Sequence, residues 1–147
     1  MPAIRRAEAV WEGDLLSGSG VVSAVSSRAF AGLPVSWPAR IETPDGKTSP
    51  EELVAAAHAS CFSMALSGAL GRAGTPPARL EVSAEVTFDK LESGWTVTSS
   101  ALTVRGRVPG IDPAAFIAAA EGARDGCPIS VALKGNVALS VKATLED

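Results

Sequence analysis

Cysteine and histidine are scarce in this sequence, which contains two cysteines, Cys61 and Cys127, and one histidine, His58. Two cysteines this far apart are too few for the disulfide scaffold of a small secreted protein. In a reducing compartment such cysteines are inert thiols, metal ligands or a redox pair, and the count alone favours inert thiols. A zinc site of His58, Cys61 and Cys127 is a weaker alternative, because a structural zinc ion takes four ligands and the chain has no further cysteine or histidine.

Clusters of basic residues and uninterrupted apolar runs are also missing. The chain has 13 Lys and Arg against 16 Asp and Glu, a net charge of −3 at pH 7, and no segment gathers the basic residues on one face. This argues against nucleic acid or an acidic membrane as a partner. No run reaches membrane-spanning length without polar interruption, and no apolar segment follows the basic pair Arg5 and Arg6. We therefore expect a cytoplasmic protein that does not associate with a membrane.

The chain has no internal repeats, low-complexity tracts or linkers, so we expect one domain over residues 1–147. The strand signals precede and follow the helix signals in separate groups, which predicts an α+β fold with mainly antiparallel sheet. Pro34 and Pro38 suggest that the third strand is an edge strand or a bulged strand. The expected strands are, in chain order, AEAVWEG, GVVSAVS, LPVSWPARIE, the hairpin of LEVSAEVTFDK with WTVTSSALTVRGRV, and VALSVKATL.

Three helices are predicted. The first covers about residues 49–72, with Ser49 as its cap and Glu52 as the second half of a capping box. It is almost wholly apolar, as expected for a helix that is buried on most sides. The second covers residues 112–126, with an aspartate cap and a proline at its first position, and a short third helix begins at Pro128.

The two cysteines occupy different positions in these helices. Cys127 lies between Gly126 and Pro128 at the start of a helix, where unpaired N–H groups and the helix dipole favour a thiolate. Cys61 lies about three turns inside the apolar helix and lacks this help. If Cys61 reacts, a cation from another element must stabilise its thiolate, and an arginine is the obvious source.

The segment SPEELVAAAHASCFSMALS closely resembles the first motif of the OsmC/Ohr family, and GCPIS resembles the second. The resemblance extends over nearly the whole chain, because the two motifs have the expected spacing and further matching segments flank them: AVWEGD, GSGVVS, PARIE, AEVTFDK and VPGIDPAAF. The residues around His58 resemble the OsmC branch of the family more than the Ohr branch. One departure is Ser49, where the family usually has asparagine, but both residues cap helices. The resemblance implies an α+β, OsmC-like fold with antiparallel sheets packed around two central helices in an intertwined homodimer.

The resemblance also implies a thiol-dependent peroxidase that reduces organic hydroperoxides and, more weakly, hydrogen peroxide. By this resemblance Cys61 is the peroxidatic cysteine, Cys127 the resolving cysteine and Arg40 the active-site arginine, with Glu51 as its partner. No cofactor or metal would be bound. An external dithiol, of the lipoyl type rather than thioredoxin, would reduce the Cys61–Cys127 disulfide.

The chemistry of peroxide reduction agrees with these residue types. A thiolate attacks one oxygen of the O–O bond, and a guanidinium such as Arg40, oriented by Glu51, stabilises both the thiolate and the leaving alkoxide. We expect Phe62 to line an apolar pocket beside Cys61. The alternative function is a thiol redox sensor or binding protein in which the same cysteines oxidise without significant turnover. The role of His58 stays open.

Overall fold

The computed structural model describes all residues, Met1–Asp147, and divides into two compact units, Met1–Leu53 and Val54–Asp147. Three strands open the chain, two helices follow, and a hairpin, two more helices and a final strand complete it. The grouping of strands and helices confirms the predicted α+β class.

The first unit contains a three-stranded antiparallel sheet in the order β1-β2-β3. Its strands are β1 (Ala7–Glu12), β2 (Ser19–Ala24) and β3 (Leu33–Val35). Pro34 lies in β3 at the edge of this sheet, as its missing N–H led us to expect.

The predicted third strand is too long, because the chain turns into a short helix, α1 (Trp37–Ile41), directly after β3. Ser36 caps this helix by accepting a hydrogen bond from the Ala39 N–H at 3.2 Å, and Pro38 occupies its first turn. Arg40 therefore lies in a helical turn and not on a strand.

Helix α2 (Pro50–Arg72) begins in the first unit and continues into the second. Ser49 Oγ accepts the Glu52 N–H at 3.1 Å, which confirms the predicted cap. The reciprocal half of the capping box is absent, because the Glu52 carboxylate accepts a hydrogen bond from Thr48 Oγ1 at 2.8 Å instead. Beyond the helix Gly74 has a φ of +86°, a left-handed conformation that suits glycine after a helix end.

Helix α2 is long and apolar enough to cross a membrane when judged by length and composition alone, with a mean hydropathy of 1.5. Polar residues interrupt this helix, as expected, but they do not lower its mean hydropathy below the range of a membrane-spanning segment. Core helices of soluble proteins meet the same criterion. Within the second unit its buried residues recur at every fourth position, so one face of α2 packs into the core; they are His58, Phe62, Leu66 and Leu70.

The second unit contains a mixed sheet in the order β4-β5-β6. Strands β4 (Arg79–Leu91) and β5 (Gly94–Arg107) form the predicted antiparallel hairpin. The fold is mainly antiparallel, as expected, but strand β6 (Ala138–Glu146) pairs with β5 in parallel. The reason is the crossover through helices α3 (Pro113–Gly126) and α4 (Pro128–Leu133), which returns the chain to the same end of the sheet.

The hydrophobic core of the second unit lies where α2 and α3 pack with β5. Phe62 is fully buried in it, although we expected this side chain beside a pocket. Cys127 is also part of this core and is fully buried. The other buried members are Leu66, Leu70, Leu102, Val104, Val108, Phe116, Ala120 and Ala123.

Candidate active site

The four residues singled out from the sequence form two contacting pairs, one in each unit. Arg40 and Glu51 pair in the first unit, and Cys61 and Cys127 pair in the second.

Arg40 is held in one orientation by Glu51. Its Nη2 lies 2.7 Å from Oε1 and its Nε 3.0 Å from Oε2 of Glu51, a two-point ion pair. The guanidinium also lies over the Trp37 ring, with Cζ 5.7 Å from the ring centroid. Glu51 is almost buried, whereas the Arg40 side chain keeps 30% of its surface exposed, so the cation is fixed yet accessible from solvent.

A cavity of about 340 Å³ adjoins Arg40 in the first unit. The guanidinium is the charged group in a wall that is otherwise mainly apolar, an arrangement that suits a small molecule with an apolar body and a polar end. The apolar lining consists of Trp11, Leu15, Val35, Trp37 and Pro50.

The two cysteines are free thiols in contact with each other. The Cys127 thiol acts on Cys61 both through a side-chain hydrogen bond and through the repulsion of like charge. Cys61 is partly buried and Cys127 is fully buried. A disulfide between two cysteines requires that their sulfurs lie close together, as these do.

The first turn of α4 donates an N–H group to each sulfur. Cys127 is the cap of α4, and its Sγ accepts the Ser130 N–H at 3.4 Å. The Ile129 N–H hydrogen-bonds the Cys61 sulfur, which lowers the pKa of that thiol. The sequence prediction that only Cys127 benefits from a helix start was therefore wrong, because the position of Cys61 in its own helix says nothing about which helix start packs against it.

The pKa of the Cys61 thiol nevertheless lies above its ordinary value. Burial is the largest cause, because it penalises the thiolate, and the hydrogen bond and charge of Cys127 act in the same direction. The Ile129 N–H opposes them, and no cation is among these influences. A reactive Cys61 therefore needs a positive charge beyond the groups that act on it in the single chain.

An open cavity of about 560 Å³ borders Cys61. Its wall is mostly apolar and is formed by α2 and the first residues of α4, including Met64, Ala65, Pro128 and Ile129. Phe62 does not belong to this wall, because successive residues of a helix point about 100° apart, and Phe62 faces the core.

A buried polar network, which the sequence did not predict, lies behind Cys127. His58 Nδ1 is 2.6 Å from Ser100 Oγ on β5, and His58 Nε2 is 2.8 Å from Ser130 Oγ on α4. Ser130 Oγ is in turn 3.0 Å from Cys127 Sγ. One signal for Ser130 was available, since the third residue after a helix cap faces the capping side chain. The sequence contains no signal for the Ser100 contact, because Ser100 lies on a strand 42 residues from His58.

The zinc alternative finds no support in this network. Both ring nitrogens of His58 are engaged by serine hydroxyls. No group of three or more His, Cys, Asp or Glu side chains is arranged to hold a metal ion. Burial lowers the pKa of His58, which keeps the imidazole neutral.

The fold and the site define an α+β protein with a pair of contacting thiols. The sequence model of the family described as OsmC-like protein matches residues 43–142. The chain is also 42% identical over 135 residues to the peroxiredoxin OsmC of Escherichia coli strain K12, covering 92% of this chain and 93% of that protein. The chain belongs to the OsmC-like protein family.

Solved structures share its fold. The organic hydroperoxide resistance protein OhrB of Bacillus subtilis aligns with a TM-score of 0.72 and 24% identity, covering 96% of this chain and 98% of that one. An OsmC-like protein of Mycoplasma pneumoniae aligns with a TM-score of 0.75 and 14% identity over the whole of both chains. These alignments confirm the expected OsmC-like fold.

Proposed function

We propose that this protein is a cysteine-dependent peroxidase that reduces organic hydroperoxides and, more weakly, hydrogen peroxide. Its family membership and its similarity to proteins named peroxiredoxin and organic hydroperoxide resistance protein support a peroxidase-type redox role. The observation that carries the proposal is the contact between two free thiols, one buried and the other bordering an apolar cavity.

Cys61 is the thiol that we assign to peroxide attack, because it borders the cavity whereas Cys127 is buried. Its thiolate attacks one oxygen of the hydroperoxide, the S–O bond forms as the O–O bond breaks, and the leaving alkoxide takes up a proton to become an alcohol. The apolar wall, with Met64 and Ile129, suits an alkyl hydroperoxide better than hydrogen peroxide.

Cys127 is the thiol that we assign to resolution. It attacks the sulfur of the Cys61 sulfenic acid, which yields the Cys61–Cys127 disulfide and one water. An external dithiol then reduces this disulfide by two thiol–disulfide exchanges and is itself oxidised to a disulfide. A lipoyl-type dithiol fits best, because its apolar chain can enter the cavity beside Cys61, and no bound cofactor is needed.

The cation that ionises Cys61 is, in our proposal, Arg40 of a second copy of the chain. The thiol pKa is raised by its surroundings in a single copy, so an added positive charge is needed. Arg40 is suited to this role because two hydrogen bonds to Glu51 orient its guanidinium, while part of the side chain stays exposed. The same fork can bind the peroxide oxygen and stabilise the alkoxide.

The exposure of α2 supports a homodimer. Within the single chain only 22% of the apolar stretch of α2 is buried, and Met64 keeps 70% of its surface exposed. A soluble protein covers an apolar helix of this length by association, most often with a second identical chain. We propose an intertwined homodimer in which each copy completes the other's thiol site.

Substitution of each cysteine tests the assignment. Cys61→Ser should abolish peroxide reduction, and Cys127→Ser should permit one oxidation and then stall or over-oxidise, because no thiol resolves the sulfenic acid. Mass spectrometry after one equivalent of organic hydroperoxide distinguishes these products. A Cys61→Ser protein that remains active and carries its oxidation on Cys127 would mean that the two roles are exchanged.

One observation favours the alternative, a thiol redox sensor without significant turnover. The raised pKa of Cys61 in the single chain is what a slowly reacting thiol would have. Steady-state consumption of cumene hydroperoxide in the presence of excess dihydrolipoate separates the two functions. We expect many turnovers per chain, and a single oxidation followed by arrest would favour the sensor.

A further inference from the structure

We propose that Ser130 and His58 form a proton relay that removes the proton of Cys127 when this buried thiol attacks the oxidised Cys61. The inference rests on the proposed function, since it concerns the resolving step at the same pair of cysteines. It assigns a role to His58, which acts on the thiol through Ser130.

The relay is a continuous line of hydrogen bonds in the core of the second unit. Ser130 Oγ lies 3.0 Å from Cys127 Sγ and 2.8 Å from His58 Nε2. His58 Nδ1 lies 2.6 Å from Ser100 Oγ, which ends the line on β5. All four residues are fully buried, so bulk water does not take part in these contacts.

A buried resolving thiol needs such a relay because the thiolate, and not the thiol, attacks sulfur. The hydrogen-bond partners of Cys127 Sγ are the Ser130 N–H, the Ser130 hydroxyl and the Cys61 thiol. The Ser130 N–H can only donate, and Cys61 carries the sulfenic acid at this stage. The Ser130 hydroxyl is therefore the partner that can accept the thiol proton while passing its own to another group.

His58 is able to receive that proton without losing a hydrogen bond. With its proton on Nδ1, the neutral imidazole donates to Ser100 Oγ, and Nε2 accepts from the Ser130 hydroxyl, which accepts from the thiol. After transfer, Nε2–H donates to Ser130 Oγ, whose hydroxyl donates to the thiolate. The side-chain nitrogen and oxygen atoms of the network have partners in the structure, and no buried side-chain N or O atom of the chain lacks one.

The protonation state of His58 suits an acceptor. Burial lowers its pKa, and no charged group is among the influences on it, so the ring is neutral at neutral pH and releases the proton afterwards. The titratable groups that face the relay are the thiols of Cys61 on α2 and Cys127 at the start of α4. Strand β5 contributes only the Ser100 hydroxyl.

The resolving step conserves atoms and charge. The Cys127 S–H bond breaks and its proton passes to Ser130 Oγ, while the Ser130 proton passes to His58 Nε2. The Cys127 sulfur forms the S–S bond with Cys61, the S–O bond of the sulfenic acid breaks, and hydroxide leaves into the cavity, where solvent protonates it. His58 then releases the proton that it took up, which its lowered pKa favours, and this proton balances the hydroxide. The sum is one thiol and one sulfenic acid converted to one disulfide and one water.

The chromogenic disulfide DTNB tests the relay without any peroxide. Cys61 attacks DTNB and releases the first coloured thiolate, and Cys127 then attacks the mixed disulfide on Cys61 and releases the second. The coloured thiolate leaves without taking up a proton, so the rate of the second release reports the deprotonation of Cys127. Failure of the peroxidase would thus not affect this test.

Ser130→Ala and His58→Gln should slow the second release at neutral pH by about a hundredfold, the usual scale of a general base, and leave the first release unchanged. Glutamine keeps hydrogen-bonding groups in place of the ring nitrogens but cannot take up a proton. The matched control is Ser63→Ala, because the Ser63 hydroxyl donates to the Ala59 carbonyl of its own helix and takes no part in the relay. Circular dichroism checks that each variant folds.

The pH profile gives a second readout that a purely structural role would not alter. In the unsubstituted protein the second release should stay constant from alkaline to mildly acidic pH, because neutral His58 is the acceptor over this range. In the variants it should fall about tenfold per unit as pH falls, because hydroxide must then remove the proton, and alkaline pH should restore it. Equal rates and profiles in the unsubstituted protein and His58→Gln would overturn the relay. If the variants do not fold, a tenfold-per-unit slope in the unsubstituted protein overturns it just as directly.

Discussion

At the residue scale, the first turn of α4 donates a backbone N–H group to each of two cysteine sulfurs that differ in exposure. The Ile129 N–H binds the sulfur of Cys61, which borders solvent, and the Ser130 N–H binds that of Cys127, which is enclosed. For Cys61 this donor does not offset burial, and the thiol pKa stays raised. The missing stabilisation is why we assign a cation to this site.

Removal of that cation should make Cys61 less reactive. In the assembled protein Arg40→Ala should raise the Cys61 pKa and slow its reaction with an organic hydroperoxide by about a hundredfold, the cost of losing one charge-stabilising donor. Arg40→Lys should restore only part of the rate, because an ammonium cannot reproduce the fork that Glu51 orients. Thiolate absorbance against pH and the second-order rate measure both effects.

The control for this prediction is another arginine of the first unit. Arg28→Ala should leave the Cys61 pKa and the rate unchanged. If Arg40→Ala has no effect, the cation comes from elsewhere, and Arg28 or Arg5 becomes the candidate.

The buried histidine leads to a prediction about pH and stability. Because burial lowers the His58 pKa, the unfolded chain binds more protons than the folded chain at pH values between the lowered and the ordinary value. The free energy of unfolding should therefore decrease as pH falls through this window and should be fully regained above it. His58→Gln should lack this part of the pH dependence. Urea denaturation at a series of pH values tests it, and an identical pH dependence in the two proteins would contradict it.

At the element scale, α3 approaches one glycine of the sheet closely. A Cβ added to Gly106 on β5 would lie 2.5 Å from the Phe116 ring of α3, and Phe116 is fully buried and cannot move aside. The parallel return of β6 makes α3 and α4 a single crossover connection, with Cys127 at the junction between them. Close packing of α3 against β5 therefore helps to position the Cys127 thiol.

Alanine at two glycines should have opposite effects on stability. Gly106→Ala should lower the free energy of unfolding by about 1–3 kcal/mol, because it overpacks a closed interface. Gly122→Ala on α3 should raise it by about 0.4–1 kcal/mol, since a Cβ there meets nothing within 4 Å and the unfolded chain loses freedom. Urea denaturation measures both, and a change of the same sign at both glycines would rule out this account of the interface.

At the scale of the whole molecule, the exposed apolar surface of α2 is the strongest argument for association. Met64→Glu should convert a dimer into monomers, because it introduces a charge at a residue that is 70% exposed in the single chain and would be covered in the assembly. Met64→Leu, which conserves volume, should remain dimeric. Light scattering at micromolar concentration gives the masses, and a monomeric unsubstituted protein would refute the dimer and with it the shared site.

Several whole-molecule expectations stay predictions. A single OsmC-like domain over residues 1–147 is supported by the family match over residues 43–142, which crosses the boundary between the two compact units. The cytoplasmic location and the absence of nucleic-acid partners follow only from composition and charge.

The local features of the fold follow from the sequence alone. The Ser49 cap, the glycine after α2, the β4–β5 hairpin and the start of α3 all follow from residues within a few positions of each other, and the structure has them where they were predicted. The family resemblance came from the same kind of contiguous signal, two motifs around Cys61 and Cys127. Two local predictions were wrong. The Glu52 side chain bonds Thr48 and does not complete the capping box, and α1 was predicted as strand because a short apolar run before Arg40 fits a strand as well as a helical turn.

The tertiary structure decided everything that joins distant segments. The parallel pairing of β6, the Ile129 N–H on Cys61 and the line from Ser100 through His58 to Ser130 depend on how whole elements pack. His58 meets partners 42 and 72 residues away, and a serine carries no sequence signal that distinguishes such a partner from a solvated one. The physical reason is that caps and turns are satisfied within one element, whereas a buried polar group finds its partner only after the core has closed around it.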